Sequence, residues 1–480
     1  MSTDTFRNYI NGEWVTATRS LTNISPANTA DILGEYAQAD AEQVEQALAA
    51  AHAGQALWQE SGLEQRYQVL MAIGDELIAR KAELGEQLAR EEGKTLAEGM
   101  GEVYRSGQFF HYYAAEVLRQ MGETADSVRP GVEIETRREP VGVVAIITPW
   151  NFPMATAAWK IAPALAFGNA VVFKPANAVP ASAWSLTEII ARQGLPAGTF
   201  NLLMGSGATV GDALIHSKQI QALSFTGSVE TGRKVASATA ANFVRCQLEM
   251  GSKNALIVLD DADLEQAVEC ALNGAFFGTG QKCTASSRLI VTAGVHDRFV
   301  AALVERMGQL KVGYPLREGT QIGAVIDGKQ LEQNLRYIEQ AKADGAVLAC
   351  GGERIEEEYE GFYMRPALFV ETRNNMQINR DEVFGPIACV IKVADYAEAL
   401  ATLNDTDFGL TAGIMTQSLK VATDFKRRAK TGCVMINLPT AGTDYHVPFG
   451  GRKNSSFGPR EQGQYAREFY TVVKTTYIRA

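Results

Sequence analysis

The chain of 480 residues carries 45 Lys+Arg against 55 Asp+Glu, a net charge of −10 with its five histidines neutral, which argues against a nucleic-acid-binding protein. Hydrophobic residues at 46% and charged residues at 21% leave no room for a long disordered segment, and the length predicts roughly two or three domains. The longest apolar stretch, Val141 to Phe167, is broken by Pro149, Pro153, Lys160 and Pro163, so no membrane span is expected. Met1 to Tyr9 lacks the apolar core of a signal peptide, and Cys246, Cys270, Cys283, Cys350, Cys389 and Cys433 are scattered without a CxxC pair. A soluble protein of the reducing cytosol is expected.

Along the chain, Ala39 to Ala115 places apolar residues at three- and four-residue spacing, through Val44, Ala47, Leu57, Val69, Ile73, Leu77 and Leu84, and predicts helices. From Val141 the pattern changes to short β-rich runs, GVVAIIT, AVVFK, ALSFT and ALIVL, each followed by a helix-compatible stretch. Such alternation predicts an α/β fold with a parallel sheet. It resumes after Cys283 with SRLIVT, helices over Val295–Leu310 and Lys329–Asp344, and PIACVIKV, a second α/β unit. The last run, Tyr470 to Ile478, reads as a strand with nothing after it to pair against, an edge that invites a partner chain.

Cys283 stands in GTGQKCTASS, a loop rich in glycine and hydroxyls, where neighbouring Lys282 or backbone N–H groups would lower a thiol pKa; a buried structural cysteine fits the same residues. Glu249, in QLEMGSK, is an acid among apolar and small residues, suited to a general base if buried and equally to an ion pair with Lys253. Gly227 and Ser228 follow the strand ALSFT and open a helix whose N–H groups suit a phosphate. Lys174 ends the strand VVFK at the carboxyl edge of a parallel sheet, where open α/β sheets bind ligands. Asn151, between the prolines of TPWNFP, offers a rigidly held amide to an oxyanion. His52, His111, His216, His296 and His446 are far apart and no HExxH, Walker or GxSxG motif occurs, so no metal is expected.

Taken in order, TPWNFP at Thr148, FKPA at Phe173, FTGS at Phe225, LEMGSK at Leu248, GQKC at Gly280, EVFGP at Glu382 and PFGG at Pro448 resemble the aldehyde dehydrogenase superfamily over almost the whole chain. The resemblance implies a Rossmann-type cofactor domain over 1–121 and 141–250, an α/β catalytic domain over 251–468, and a small β oligomerisation arm over 122–140 and 469–480. A homodimer or homotetramer follows. It assigns Cys283 as nucleophile toward an aldehyde carbonyl, with the oxygen held by the Asn151 amide and the Cys283 N–H, and Glu249 as the base that activates water against the thioester. It places Lys174 on the adenosine ribose, Ser228 on the pyrophosphate and Glu382 on the nicotinamide ribose, with Phe384 beside the ring, Trp150 lining the same cleft, and Gly227 and Asn177 among the cofactor-binding residues. Glu249 favours hydrolysis over acylation of coenzyme A, because the acylating members lack that glutamate.

Two positions depart from the family pattern. Ser252 stands in the usual Leu-Gly-Gly that follows the glutamate, adding a side chain near the nicotinamide site, and Ser456 replaces the usual glycine after PFGG. Asn177 occupies the place where members that prefer NAD often carry a glutamate, so NADP is expected to be accepted and preferred over NAD. The runs GQKCTASSR, DYHVPFGGR and FGPREQG resemble the α-ketoglutaric semialdehyde dehydrogenases, with succinate semialdehyde or broad-range aldehyde enzymes as the alternative. A carboxylated substrate calls for a cation, and Arg105, Lys160 and Lys282 all qualify; Phe152, Trp159 and Tyr445 are candidate apolar walls. A non-catalytic dinucleotide-binding protein and a redox-sensing thiol protein are the readings from other classes.

Overall fold

The computed structural model describes residues 5–479. Four helices fill the region of helical periodicity, Ala41–Gln59, Leu63–Ala79, Lys81–Glu92 and Leu96–Val117. Their starts follow local chemistry: the Asp40 carboxylate accepts from the Gln43 N–H, and Thr95 with Glu98 forms a reciprocal capping box.

The β-rich runs after Val141 assemble into an eight-stranded sheet in the order Ser456–Phe457, Arg245–Glu249, Ala222–Thr226, Val143–Ile147, Ala170–Lys174, Phe200–Leu202, Asn8–Ile10 and Glu13–Val15. Its five central strands are parallel and helices cover both faces, which is why runs such as Ala170–Lys174 are buried at every position. The two N-terminal strands and Ser456–Phe457 join antiparallel at opposite edges. Strand Ser456–Phe457 thus returns from late in the chain to lie against Leu248 and Glu249.

A seven-stranded sheet holds the second unit, with Asn254–Val258, Ser286–Thr292, Ile387–Val393 and Thr411–Met415 at its centre. The chain passes from the first sheet to the second through Met250–Lys253, so the carboxyl edge of the first sheet faces the amino edge of the second. Asn254 is in register with Ser286, which puts the loop carrying Cys283 at that junction.

The final strand, Thr471–Ile478, corrects one expectation. It pairs antiparallel with Glu133–Pro140 of the same chain along its whole length, and Glu123–Asp126 completes a three-stranded sheet. Its intrachain partner lies more than 300 residues upstream, where no local pattern points to it. One edge of the strand stays open, with Val473, Tyr477 and Ile478 exposed. A further small sheet, Thr5–Phe6 with Asn28–Gln38 and Arg19–Ser25, was not anticipated, because polar residues fill most of its positions.

Candidate active site

Four adjacent strand ends bring the candidate residues together. Lys174, the Thr148–Asn151 loop, Thr226–Ser228 and Glu249 all leave the carboxyl edge of the parallel sheet, with Ile147 opposite both Lys174 and Phe225, and Thr226 opposite Glu249. Two cavities meet there. One, of about 270 Å³, is lined by Trp150, Gly227, Ser228, Glu249, Glu382 and Phe384; the other, of about 420 Å³, by Arg105, Phe109, Lys282, Phe277 and Gln462. Cys283, Asn151, Phe152, Trp159 and Phe449 line both. The thiol therefore stands where a group entering from either side can reach it.

The Cys283 loop is held from three directions. Gly278, Thr279 and Gly280 all adopt positive φ, and a Cβ on Gly280 would fall 2.2 Å from the Gly385 carbonyl oxygen, so only glycine fits there. Asn254 Nδ2 donates to the Cys283 carbonyl at 2.7 Å and to the Ala285 carbonyl at 3.0 Å. Thr440 Oγ1 donates to the Thr284 carbonyl at 2.7 Å. A loop fixed this way keeps the nucleophile in one place without ordering cost at the moment of reaction.

Asn151 is nearly buried; its Nδ2 donates to the Gln281 carbonyl at 2.9 Å, leaving the second amide proton for the cavity. Its main chain is anchored by two residues that sequence reasoning missed. Lys94 Nζ donates to the Asn151 carbonyl at 2.7 Å and to Glu102 Oε2 at 2.7 Å, while Glu102 Oε1 accepts from the N–H groups of Met154 and Ala155 at the start of helix Pro153–Ala166. Two acids also missed lie close by, Glu92 against Lys94 and Glu98 accepting from the Gly278 N–H at 2.7 Å. Helix N-termini leave such donors unsatisfied, but nothing local marks an acid some fifty residues upstream as their acceptor.

Glu249 is buried, and Ser456 Oγ donates to its Oε2 at 2.6 Å. Burial and neighbouring Glu461 raise its pKa well above the usual carboxylate range. Glu382 is pushed up to about 7 by burial, and the Ser252 N–H donates to its Oε1 at 2.7 Å. A Cβ on Gly251 would fall 2.0 Å from Glu382 Oε2, so the chain passes this carboxylate only as glycine. Ser252 itself does not enter the cavity: its hydroxyl donates to Asn254 Oδ1 at 2.7 Å, and the added side chain is absorbed in the support of the Cys283 loop. Phe384, at φ 61°, meets Trp150 edge-on at 5.4 Å.

The Cys283 thiol corrects a second expectation. Its pKa is raised, by burial first and then by the carboxylates of Glu382, Glu249 and Glu461. Lys282 does not offset them: its ammonium is turned to the Asn273 carbonyl at 2.7 Å, and burial lowers its pKa to about 8. Lys160 is the third correction, because it is fully buried against Ser224 and Glu461 on the inner side of its helix and lines neither cavity. Tyr445 is not on the wall either; it backs Arg105, whose guanidinium lies 5.4 Å over its ring. Arg105 has no acidic partner among the described residues, whereas Lys94 is paired with Glu102 and Glu92. Gln462, also missed, sits at φ 63° on the larger cavity with both amide atoms buried and without a partner among the described residues.

The fit of a dinucleotide rests on unspent polar groups. Lys174 is buried with a single acceptor, the Pro175 carbonyl at 2.9 Å, and burial lowers its pKa to about 8. Asn177 Oδ1 and Thr226 Oγ1 are buried without partners among the described residues. Ser228 caps the thirteen-residue helix Val229–Ala241, whose N-terminus opens on the smaller cavity. These residues suit ribose hydroxyls and phosphates. No cluster of metal-ligating side chains occurs among the described residues, and no described helix is long and apolar enough to cross a membrane.

Residues 14–476 match the model of the aldehyde dehydrogenase family. The chain is 40% identical over 480 residues to an alpha-ketoglutaric semialdehyde dehydrogenase of Bacillus subtilis, covering 99% of this chain and 98% of that one. It is 38% identical over 458 residues to a 2,5-dioxopentanoate dehydrogenase of Saccharolobus solfataricus, 95% of each chain. The fold matches a crystal structure of betaine aldehyde dehydrogenase from Staphylococcus aureus in complex with NAD+, with a TM-score of 0.96 at 34% identity, over 100% of this chain and 95% of that one.

Proposed function

The chain belongs to the aldehyde dehydrogenase family, and on that premise we propose that it oxidises a short semialdehyde with a terminal carboxylate, foremost α-ketoglutaric semialdehyde, to the free acid. Cys283, its thiol proton released to solvent, bonds through Sγ to the aldehyde carbon while the Asn151 amide and the Cys283 N–H hold the developing oxyanion; as the carbonyl re-forms, that carbon gives up its hydrogen as hydride and is left as a thioester. A nicotinamide dinucleotide, when bound in the smaller cavity, supplies the hydride acceptor. Glu249 then takes a proton from water, the water oxygen bonds to the thioester carbon, and the carbon–sulfur bond breaks to release the acid. Its presence favours hydrolysis over transfer to coenzyme A.

Arg105 is the observation that carries the substrate. Its planar fork can bind a carboxylate through two parallel hydrogen bonds, and it stands on the larger cavity with no ion-pair partner among the described residues. Of the glutamates on that cavity, Glu92 and Glu102 are paired with Lys94, and Glu98 accepts from the Gly278 N–H. Lys160 is bound to Glu461 and lines neither cavity, whereas Lys282 lines the larger cavity with one proton on the Asn273 carbonyl, so Arg105 is favoured for its planar two-bond fork. Arg105→Leu is expected to lower kcat/KM for α-ketoglutaric, succinate and glutarate semialdehydes by about 30-fold or more and to leave uncharged aldehydes within about 3-fold. Equal losses on both classes would remove Arg105 from recognition. Equal wild-type rates on both would favour a broad-range enzyme.

For the cofactor, Lys174 has spare protons and Asn177 brings no charge that would repel a 2′-phosphate. NADP is therefore preferred over NAD in this reading, and Asn177→Glu is expected to turn the preference toward NAD by about tenfold in kcat/KM. A wild-type ratio tenfold in favour of NAD overturns it. The six free cysteines suit a reducing cytosol, and the open edge of Thr471–Ile478 suits a homodimer or homotetramer with that strand at the contact.

A further inference from the structure

We propose that Ser456 is a positioning residue for deacylation: its hydroxyl gives the Glu249 carboxylate a hydrogen bond that favours its charged form, the form that accepts a proton from water. The inference rests on the reading of Glu249 as the base. Ser456 and Glu249 are direct cross-strand partners where Ser456–Phe457 returns to the edge of the first sheet, and their side chains meet, Oγ to Oε2, at 2.6 Å. The proton has one destination. Ser456 Oγ already accepts from the Gly451 N–H at 2.6 Å, so the hydroxyl is polarised by a peptide donor and points its own hydrogen at the carboxylate. The pairing of the two strands is fixed independently: the Met250 N–H donates to the Ser455 carbonyl at 2.8 Å and Ser455 Oγ to the Gly251 carbonyl at 3.0 Å. Removing one hydroxyl takes the acceptor from the Gly451 N–H and leaves these two backbone-anchoring bonds in place.

The other groups around Glu249 make that hydroxyl matter. Glu461 opposes its ionisation, while Lys160 from helix Pro153–Ala166 and Arg460 support it. The thiols of Cys283 and Cys433 face it from the nucleophile loop and from strand Cys433–Ile436. Lys160 is bound to Glu461 and Arg460 donates to the Gly451 carbonyl; both act on Glu249 through charge, and neither gives it a hydrogen bond among the described residues. Ser456 is the side chain that gives Glu249 a hydrogen bond. A donor to a buried carboxylate favours the charged form.

The test follows decay of the acyl-enzyme after a single turnover, by mass of the quenched chain, across a pH series in wild type, Ser456→Ala, Ser456→Thr and Glu249→Gln. In Ser456→Ala the acid limb of decay is expected to move alkaline by about one pH unit, about tenfold slower at a given pH on that limb, with the first-turnover burst intact. Ser456→Thr keeps the hydroxyl and is expected to show the wild-type limb, which a merely structural serine would not require. An unmoved limb in Ser456→Ala, with Glu249→Gln stalled, overturns the role of Ser456 alone. Wild-type decay in Glu249→Gln overturns the reading of the base and this proposal with it. Should alanine unsettle the strand pairing, a displaced limb in Ser456→Thr overturns the proposal.

Discussion

Cys283→Ala is expected to abolish aldehyde-dependent reduction of either dinucleotide, by about 10⁴-fold or more, while leaving the fold intact. Alanine removes only a sulfur from a loop whose shape is set elsewhere, by three residues at positive φ and by the Asn254 and Thr440 hydrogen bonds. The nucleophile's titration gives a second readout. Burial and three nearby carboxylates favour the neutral thiol, so the reactive thiolate is the minority form at neutral pH and grows as pH rises. Alkylation of Cys283 by iodoacetamide in the ligand-free protein, followed by peptide mapping, is then expected to be slow at neutral pH and to quicken about tenfold per pH unit. Fast alkylation at neutral pH would restore the sequence-based expectation that Lys282 activates the thiol. Retained turnover in Cys283→Ala would remove the nucleophile assignment.

The readable part of the site is the part built from strand ends. Asn151, Lys174 and Ser228 each end or follow a β-rich run, and a parallel sheet brings such residues to one edge whatever their separation in sequence, whereas Glu249 was read from its apolar surroundings and its strand, Arg245–Glu249, was not anticipated. Residues that act through distant partners were not legible. Lys94 and Glu102 matter because a helix from residues 96–117 lies beside the start of helix Pro153–Ala166, and Ser456 matters because a two-residue strand returns to the sheet edge. Neither pairing leaves a periodic signal. Lys160 was misread for a related reason: spacing on a helix does not tell which face meets Glu461 and which meets the cavity. The Lys282 error is one of sign. Proximity in sequence suggested a cation beside the thiol, but the side chain turns to Asn273 and desolvation prevails.

Glu249→Gln is expected to separate the two halves of the reaction. The amide keeps the shape of the side chain and cannot accept the water proton, so acylation and one round of dinucleotide reduction proceed and the thioester then persists. Steady-state turnover is expected to fall about 10²- to 10⁴-fold, with a burst near one equivalent per active site. The sign of the pH dependence follows from the environment. Burial and Glu461 raise the carboxyl pKa, so the ionised base is lost as pH falls through a range well above that of an ordinary carboxylate. Wild-type deacylation should therefore climb with pH where a solvent-exposed glutamate would already be fully charged, and Glu249→Gln should lack that limb. Loss of the burst together with turnover would place Glu249 in acylation instead, as the group that takes the Cys283 proton. That outcome has a physical basis, because the thiol is neutral in this environment and a buried carboxylate lines the same cavity. The burst distinguishes the two: a base for water leaves it, and a base for the thiol removes it.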